Sequence, residues 1–244
     1  MNVLLITDNT FLWGEFKKII QPNLFSDVHF DYACSESSID MFKGVAGINP
    51  PTVKVKKDYP KIIARYDLVI SMHCKQIFPR EMVENVRCIN IHPGLNPYNR
   101  GWYPQVFTIL NKFPHGATIH EIDVELDHGP IIAQEPVPLY EWDTSHSVYE
   151  RVQKAELKLI SQNLRKILDN NYTTKIPEME GNLNLIKDFR ALCNLNMDEN
   201  LTMREAIDRL RALTHDPYSN AFFLTESGEK VFVKVQFTRT ECGD

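Results

Sequence analysis

The sequence lacks the paired cysteines, long apolar runs and excess positive charge that mark several large protein classes. Its five cysteines include no CxxC pair, so neither a disulfide framework nor a zinc knuckle is expected. No apolar run is long enough to span a bilayer, and residues 2–8 are strand-like rather than a basic leader. The net charge of -5 disfavours nucleic-acid binding. We therefore expect a cytoplasmic protein that contacts neither membrane nor nucleic acid.

Two common site motifs are also missing. The histidines show no HExxH or His-x-His spacing, so no metal site is expected. Asp8-Asn9-Thr10 follows the first apolar segment but lacks the glycines of a GxGxxG loop, so a dinucleotide site is not supported. The remaining composition is typical of a globular protein, and 244 residues suffice for one large domain or a main domain plus a small one.

Short apolar strands alternate with amphipathic segments along most of the chain. Strands are expected at residues 3–6, 27–34, 66–72, 88–92, 117–124 and 130–139. Helices are expected after the first strand, near 36–43, at 79–86, at 105–110 and at about 145–170. Thr144 is a candidate N-cap for the last helix, with a Ser147 and Glu150 box as the alternative. This alternation predicts an α/β fold with a Rossmann-like open sheet.

The composition changes near residue 172. Residues 172–184 read as a linker, and Thr202-Met-Arg-Glu205 is a capping box that opens a helix. Residues 221–224 and 231–235 alternate around a turn, which predicts a β-hairpin that needs cover from the main body or another subunit. The expected domains are an N-terminal domain over 1–172 and a small C-terminal unit over 173–244 with a helix and a β-hairpin.

The most informative segment is Ile89-Asn90-Ile91-His92-Pro93. Because side chains alternate along a strand, Asn90 and His92 are expected on one side and the two isoleucines on the other. An amide that can donate to an oxyanion would thus stand beside an imidazole that can take a proton near neutral pH. Asp127, at the start of a second apolar run, could orient the imidazole. Such a set suits acyl transfer without a nucleophilic Ser or Cys.

Structural roles remain open for each of these motifs. The amide and imidazole pair could be satisfied polar groups at a strand end, residues 127–130 could be a simple turn, and 71–76 an ordinary loop. The carboxyl ends of strands line the ligand crevice of an open α/β sheet, which favours a functional role for the first and third motifs. The loop at 94–103 adds an arginine for anions and aromatic rings for stacking.

Four motifs, in their order and spacing, resemble the 10-formyltetrahydrofolate-dependent formyltransferase family, which includes the methionyl-tRNA and glycinamide ribonucleotide formyltransferases. They are Ile89-Asn90-Ile91-His92-Pro93, Tyr98-Asn99-Arg100-Gly101, Gly116-Ala117-Thr118-Ile119-His120 and Asp127-His128-Gly129-Pro130-Ile131-Ile132-Ala133-Gln134. The match covers roughly residues 1–170 and implies the formyltransferase fold. The signature Asn, His and Asp of the family fall on Asn90, His92 and Asp127. Gly94 departs from the family, which often has Ser there.

Further segments are similar to one branch of that family, the bacterial sugar N-formyltransferases. They lie at residues 71–79, 101–105 and 210–223. The similarity implies transfer of a formyl group from 10-formyltetrahydrofolate to the amine of a dTDP-linked amino-dideoxy sugar, with dTDP-4-amino-4,6-dideoxyglucose as the first expectation. It also implies a place in O-antigen and lipopolysaccharide synthesis. We expect a homodimer formed through the C-terminal unit, whose hairpin and aromatic pair need cover.

The resemblance implies roles for particular residues. Asn90 would hold the carbonyl oxygen, and His92 would take the amine proton or polarise the oxyanion alongside Asn90. Asp127 would orient His92 and help to move a proton to the departing folate nitrogen. The expected cofactor-binding residues are His73, Lys75, Gln76, Ile77 and Asp123. The expected substrate-binding residues are Asn96, Tyr98, Arg100, Trp102, Tyr103, Arg209 and Tyr218. Arg209 and Arg211 cannot both point one way from a helix, so at most one should reach a diphosphate.

Other functions stay open. The same transfer could act on another amino sugar or on methionyl-tRNA, although the acidic balance disfavours tRNA. The protein could bind a nucleotide sugar or a folate without catalysis, but binding alone would not need Asn90, His92 and Asp127. A hydrolase that releases formate from the folate is a further alternative.

Overall fold

The main sheet of the fold has seven strands. The structure is a computed structural model, and it describes residues 1–21, 24–45, 49–238 and 240. The strands are β1 Asn2–Thr7, β2 His29–Ser35, β3 Thr52–Val53, β4 Leu68–Met72, β5 Arg87–His92, β6 Arg100–Gly101, β7 His115–Glu121, β8 Ile131–Val137, β9 Leu183–Asn184, β10 Thr214–His215, β11 Tyr218–Ser219, β12 Phe222–Leu224 and β13 Lys230–Phe232. The helices are α1 Thr10–Ile19, α2 Ile39–Phe42, α3 Val55–Arg65, α4 Arg80–Val83, α5 Pro104–Asn111, α6 Ser145–Leu168, α7 Ile186–Cys193 and α8 Met203–Leu213. The end of the predicted C-terminal unit, residues 241–244, lies outside the described residues.

The sheet has the strand order β3-β2-β1-β4-β5-β7-β8. Neighbours from β3 to β5 run parallel, whereas β7 is antiparallel to β5 and β8 is antiparallel to β7. Val3 and Leu5 of β1 pack in one apolar core and Leu4 and Ile6 pack in the other, so the central strands are covered on both faces. The predicted α/β open sheet and the antiparallel pair at its edge are confirmed.

Helix α6 packs against β7 and β8 and borders the candidate site. Thr144 is its N-cap, because Thr144 Oγ1 accepts from the Ser147 N–H and Ser147 Oγ accepts from the Thr144 N–H. This outcome selects Thr144 over the alternative start at Ser147. The buried face of α6 is apolar except at a few positions, and one exception is Glu156, which is 0% exposed.

Helices α3 and α7 are not predicted by the sequence analysis. In α3, Val55 and Ile62 are buried while most of its lysines are exposed, and Pro60 lies inside the helix. Because the sequence is polar and contains a proline, this narrow apolar face does not produce a recognisable helical pattern. In α7, Cys193 is buried. Both helices are short, so tertiary packing rather than local propensity stabilises them.

Residues 172–184 do not behave as the predicted linker. Lys175 exchanges backbone hydrogen bonds with Ile131 at the start of β8. Further along, β9 pairs in parallel with β6. The segment has a loop-like composition, but its backbone groups are paired with those of the N-terminal part of the chain.

The C-terminal unit contains the predicted capped helix and hairpin. At the start of α8, Thr202 Oγ1 accepts from the Glu205 N–H and the Glu205 carboxylate accepts from the Thr202 N–H. Strands β12 and β13 form the hairpin, on which the exposed apolar side chains are Leu224, Val231 and Phe232. Over the described ranges, no helix is both long and apolar enough to cross a membrane.

Candidate active site

Asn90, His92 and Asp127 meet at the carboxyl end of β5. Asn90 Nδ2 donates to Asp127 Oδ1 at 2.8 Å, and His92 Nδ1 lies 3.5 Å from Asp127 Oδ2. Both side chains therefore reach one carboxylate, which confirms that Asn90 and His92 share a face of the strand. The isoleucines between and before them pack in the opposite core.

His120 is a further member of this group, and the sequence analysis does not single it out. The β5–β7 register places His120 directly opposite Asn90, and the Asn90 Nδ2 lies 3.2 Å from His120 Nε2. His120 Nδ1 is 2.7 Å from the Glu121 carbonyl oxygen, so Nδ1 carries a proton and Nε2 can accept from Asn90. The sequence signal that could have identified His120 is its position in the family motif at residues 116–120, which lies on the strand antiparallel to β5.

Asp127 is an ionised carboxylate in an almost closed environment. Burial alone would raise the pKa of Asp127, but His92, His120 and the Gly101 N–H outweigh burial and hold that pKa well below its ordinary value. The Gly101 N–H donates to Asp127 Oδ2 at 3.0 Å. Asp127 has a φ of 48°, and its carbonyl oxygen accepts from Asn96 Nδ2 at 2.9 Å.

His92 is a neutral base at pH 7. Burial lowers the pKa of His92 to about 4, against the opposing charge of Asp127. Its Nε2 is buried and has no hydrogen-bond partner among the described residues. With the Nδ1 proton facing Asp127, Nε2 is the nitrogen available to accept a proton.

The loop that follows β4 holds four of the five predicted cofactor residues, and two of them, His73 and Gln76, have side chains with internal partners. His73 Nε2 lies 2.8 Å from Glu156 Oε1, and His73 Nδ1 lies 2.9 Å from the Tyr149 hydroxyl. The Gln76 side chain bonds to Ser35 and to the backbone of Val53 and Val55. Lys75 and Ile77 are exposed.

Asp123 is the remaining predicted cofactor residue. Its Oδ2 is 2.8 Å from His128 Nδ1, and its Oδ1 accepts from the Glu125 N–H. In the described part of the chain, Glu125, His128 and Glu180 form a metal-capable trio with ligand atoms within 4.8 Å of one another. The absence of a metal remains a prediction.

The predicted substrate residues of the 94–103 loop have varied environments. Asn96 and Arg100 are buried, and the Arg100 guanidinium pairs with Glu180. Tyr98 packs near Phe113. The Trp102 and Tyr103 rings lie 5.6 Å apart, and the Tyr103 ring also contacts that of Phe189. The loop therefore presents mainly aromatic surface.

Arg209 and Arg211 point to different partners, as their spacing on α8 requires. Arg209 donates to the carbonyls of Leu192 and Asn194 and pairs with Glu199. Arg211 donates to the carbonyls of Tyr140 and Asp143 and pairs with Asp208. Both guanidinium groups are thus engaged within the chain. Tyr218 is 58% exposed, and the substrate roles of Arg209 and Tyr218 remain predictions.

Glu156 and Tyr149 form a polar cluster with His73 that the sequence analysis missed. Burial raises the pKa of Glu156, and His73 opposes that shift. Asn9 Nδ2 donates to the Tyr149 hydroxyl at 3.0 Å, which joins the cluster to the start of α1. A charged residue inside the apolar stripe of α6 was the signal that could have identified it.

A cavity of about 220 Å³ opens beside Asp127. Its lining consists of Asn96, Pro97, Arg100, Asp127, His128 and residues 176–180. Two buried polar atoms of this lining, Asn96 Oδ1 and Arg100 Nε, have no partner among the described residues. The cavity thus adjoins the carboxylate that touches Asn90 and His92.

Two protein families match parts of the chain. The family described as "Formyl transferase" matches residues 56–164, and the family described as "N-formyltransferase dimerization C-terminal domain" matches residues 188–239. The chain is 44% identical over 237 residues to a dTDP-4-amino-4,6-dideoxyglucose formyltransferase of Mycobacterium tuberculosis, covering 96% of both sequences.

Solved structures with a similar fold and sequence are also known. A 4-N formyltransferase from Francisella tularensis shares 46% identity over 98% of each chain, with a TM-score of 0.92. A sugar N-formyltransferase from Shewanella sp FDAARGOS_354 shares 45% identity over 99% of each chain, with a TM-score of 0.95. A methionyl-tRNA formyltransferase of Geobacillus sp. is 30% identical over only 53% of this chain and 42% of its own length.

Proposed function

Because the chain belongs to the formyltransferase family, we propose that it transfers a formyl group from 10-formyltetrahydrofolate to the amine of dTDP-4-amino-4,6-dideoxyglucose. The observation that carries this proposal is that Asn90 and His92 both contact the largely buried carboxylate of Asp127. A neutral base, an ionised carboxylate and an amide donor are the groups that aminolysis of an N-formyl compound requires. The similarity to sugar N-formyltransferases over nearly the whole chain supports a sugar acceptor.

His92 acts as the base in the proposed reaction. The neutral sugar amine attacks the formyl carbon, and His92 Nε2 takes a proton from the attacking nitrogen. Asp127 stabilises the resulting imidazolium and keeps Nδ1 protonated. The same proton then passes to the departing folate nitrogen, so no covalent enzyme intermediate is needed.

Asn90 holds the oxygen of the tetrahedral intermediate. Its two N–H bonds are directed at Asp127 and His120. The bond to His120 is the one exchanged for the oxyanion, because the bond to the Asp127 carboxylate is charge-assisted. Loss of such a donor typically reduces kcat by about a hundredfold to a thousandfold.

Folate recognition relies on backbone groups in this proposal. The side chains of His73 and Gln76 are held by internal partners, so the loop around Lys75 and Ile77 would meet the pterin through its main chain. Asp123 would contribute a further contact to the same ligand. This arrangement suits a flat heterocycle with several donors and acceptors along its edge.

The nucleotide sugar is placed along the aromatic surface of the 94–103 loop. Trp102, Tyr103 and the exposed Tyr218 would flank the base or sugar. Arg100 would place its buried positive charge near the diphosphate, with Asn96 and Tyr98 beside it. Arg209 would bind the substrate only after its present hydrogen bonds are broken.

The C-terminal unit would serve assembly. Its sequence matches a domain named for dimerization, and its hairpin exposes Leu224, Val231 and Phe232. A homodimer that buries this surface is therefore proposed, with a catalytic domain over 1–172 and the smaller unit over 173–244. The cellular setting proposed is the cytoplasm, in O-antigen and lipopolysaccharide synthesis.

The proposal is tested by incubating the protein with 10-formyltetrahydrofolate and a panel of dTDP-linked amino sugars. The expected result is a formamido sugar detected by mass spectrometry, together with stoichiometric tetrahydrofolate. Formylation of another acceptor would reassign the substrate, and formate without a formylated product would indicate a hydrolase. Binding without any turnover would overturn an enzymatic role.

A further inference from the structure

The segment from Lys175 to Asn184, here called the strap, lies between the two regions that the family matches cover, 56–164 and 188–239. It begins at the backbone pairing of Lys175 with Ile131 and ends at the β9–β6 pairing. Between these anchors, residues 176–180 form one wall of the cavity beside Asp127. The strap therefore lies at the catalytic centre, although it follows the predicted catalytic domain in sequence.

Asn182 connects the strap to the 94–103 loop through three hydrogen bonds. Its Oδ1 accepts from the Asn99 N–H at 2.8 Å, and its Nδ2 donates to Asn99 Oδ1 at 2.8 Å. Its carbonyl oxygen accepts from the Arg100 N–H at 3.0 Å. Asn99 is 1% exposed and has a φ of 52°. Its Oδ1 also accepts from Asn111 and Asn184, whereas its backbone N–H is paired with Asn182 Oδ1.

Gly101 follows directly and donates its N–H to Asp127 Oδ2 at 3.0 Å. The Trp102 N–H on its far side donates to the Asn184 carbonyl at 2.9 Å. Gly101 has a φ of 90°, and a Cβ there would lie 2.4 Å from the Asn184 oxygen. The strap carbonyls thus hold the residues on both sides of Gly101, and this sets the direction of its N–H.

We propose that Asn182 is a positioning residue of the catalytic centre. It holds residues 99–101 so that the Gly101 N–H meets Asp127, and this contact fixes the carboxylate that orients His92. The inference rests on the proposed function for its catalytic consequence, but the structural step from Asn182 to Gly101 is independent of the substrate.

The first test measures the structural step by hydrogen exchange. In the full-length protein, Asn182→Ala removes both side-chain contacts with Asn99. Exchange of the Gly101 amide, followed in peptides spanning 97–103, should become at least about tenfold faster than in the unmodified protein. Asn196→Ala is the matched control, because among the described residues the Asn196 side chain accepts a hydrogen bond from the Asp198 N–H in its own exposed turn. This variant should leave the exchange unchanged.

The second test measures catalysis on the same variants. Asn182→Ala should lower kcat by up to about a hundredfold, because a small displacement of a catalytic group has such effects. The KM values for both substrates should stay near those of the unmodified protein. Asn182→Asp keeps the acceptor for the Asn99 N–H, so it should recover part of kcat. If Asn182→Ala does not fold, Asn182→Asp is the variant that tests the positioning role.

The outcomes separate the two claims. Unchanged exchange over 97–103, or an unchanged kcat, in Asn182→Ala would overturn the positioning role. If Asn182→Ala does not fold, the same unchanged values in Asn182→Asp would overturn it. A loss confined to KM would also overturn it, since that would make Asn182 a binding residue. If exchange accelerates while the unmodified protein formylates no amino sugar, the contact with Gly101 is upheld and the proposed function is the part that fails.

Discussion

A Cβ on Gly94 would lie 2.4 Å from Nε2 of His92 and 2.8 Å from Cδ2. The imidazole is buried, and a side chain on residue 94 would overlap its present position. This contact gives a physical reason for glycine where the resemblance suggests that serine is frequent. It also makes the base position of this chain sensitive to a single added carbon.

Gly94→Ala should therefore displace His92 and reduce kcat by roughly tenfold to a hundredfold. The overall fold should persist, because the clash is with a side chain that can move. Gly14→Ala is the control: a Cβ at Gly14 meets nothing within 4 Å, and alanine favours the helix that contains it. Steady-state kinetics and thermal melts of both variants provide the measurement. A Gly94→Ala enzyme with normal kcat would show that His92 need not occupy this position.

Removal of the base or of its carboxylate should affect turnover more strongly. His92→Asn and Asp127→Asn should each lower kcat by about two to four orders of magnitude, since proton transfer loses its acceptor or the orientation of that acceptor. Asp40→Asn, a change in an exposed carboxylate, should be indistinguishable from the unmodified protein. Circular dichroism should show intact secondary structure in all three. Turnover above a tenth of normal in either site variant would exclude that residue from catalysis.

The buried neutral state of His92 should make stability depend on pH. The unfolded protein binds a proton at His92 near pH 6.5, whereas burial lowers the folded pKa to about 4. Stability is thus fully present above pH 6.5 and is lost progressively as the pH falls toward 4. His92 alone should contribute about 2 kcal/mol of this loss between pH 7 and pH 5.

Denaturant unfolding of the unmodified protein and of His92→Asn at both pH values tests this difference. His115 and His215 have similarly lowered pKa values, about 3 and about 4, so some pH dependence should persist in the variant. An identical pH dependence in the two proteins would mean that folding does not lower the pKa of His92.

The buried pair of His73 and Glu156 should show an asymmetric response to mutation. His73→Ala leaves the carboxylate of Glu156 buried without its partner, so unfolding should become easier by about 3–5 kcal/mol. Glu156→Gln removes the charge while keeping the shape, so its effect should stay within about 1 kcal/mol. Adding Glu156→Gln to His73→Ala should restore part of the lost stability. A double variant less stable than His73→Ala alone would contradict this account.

Local patterns correctly predict several elements and the common face of Asn90 and His92. The period of a strand places Asn90 and His92 on one face, and the predicted N-cap at Thr144 and capping box at Thr202 mark true helix starts. These features depend on neighbours within a few residues, so they can be read without a fold. Helix α3 is not predicted from local patterns, because its buried face consists of a few side chains in a lysine-rich segment.

Local sequence patterns also fail to predict contacts between distant segments. His120 reaches Asn90 through strand pairing, and Glu156 reaches His73 across 83 residues. The apparent linker before β9 turns out to hold the loop that contains Gly101. None of these partners is specified by spacing or composition, because each depends on where the chain returns after a helix or turn.

The sequence by itself determined which groups could do the chemistry, because residue type and strand period are local properties. It set Asn90 beside His92 and placed the signature of a formyltransferase along the chain. Only the tertiary structure decided their chemical state. Exclusion of water keeps His92 neutral, and the convergence of Asn90, Gly101 and the imidazoles on Asp127 keeps its carboxylate ionised, since burial and long-range contact arise only when the chain folds.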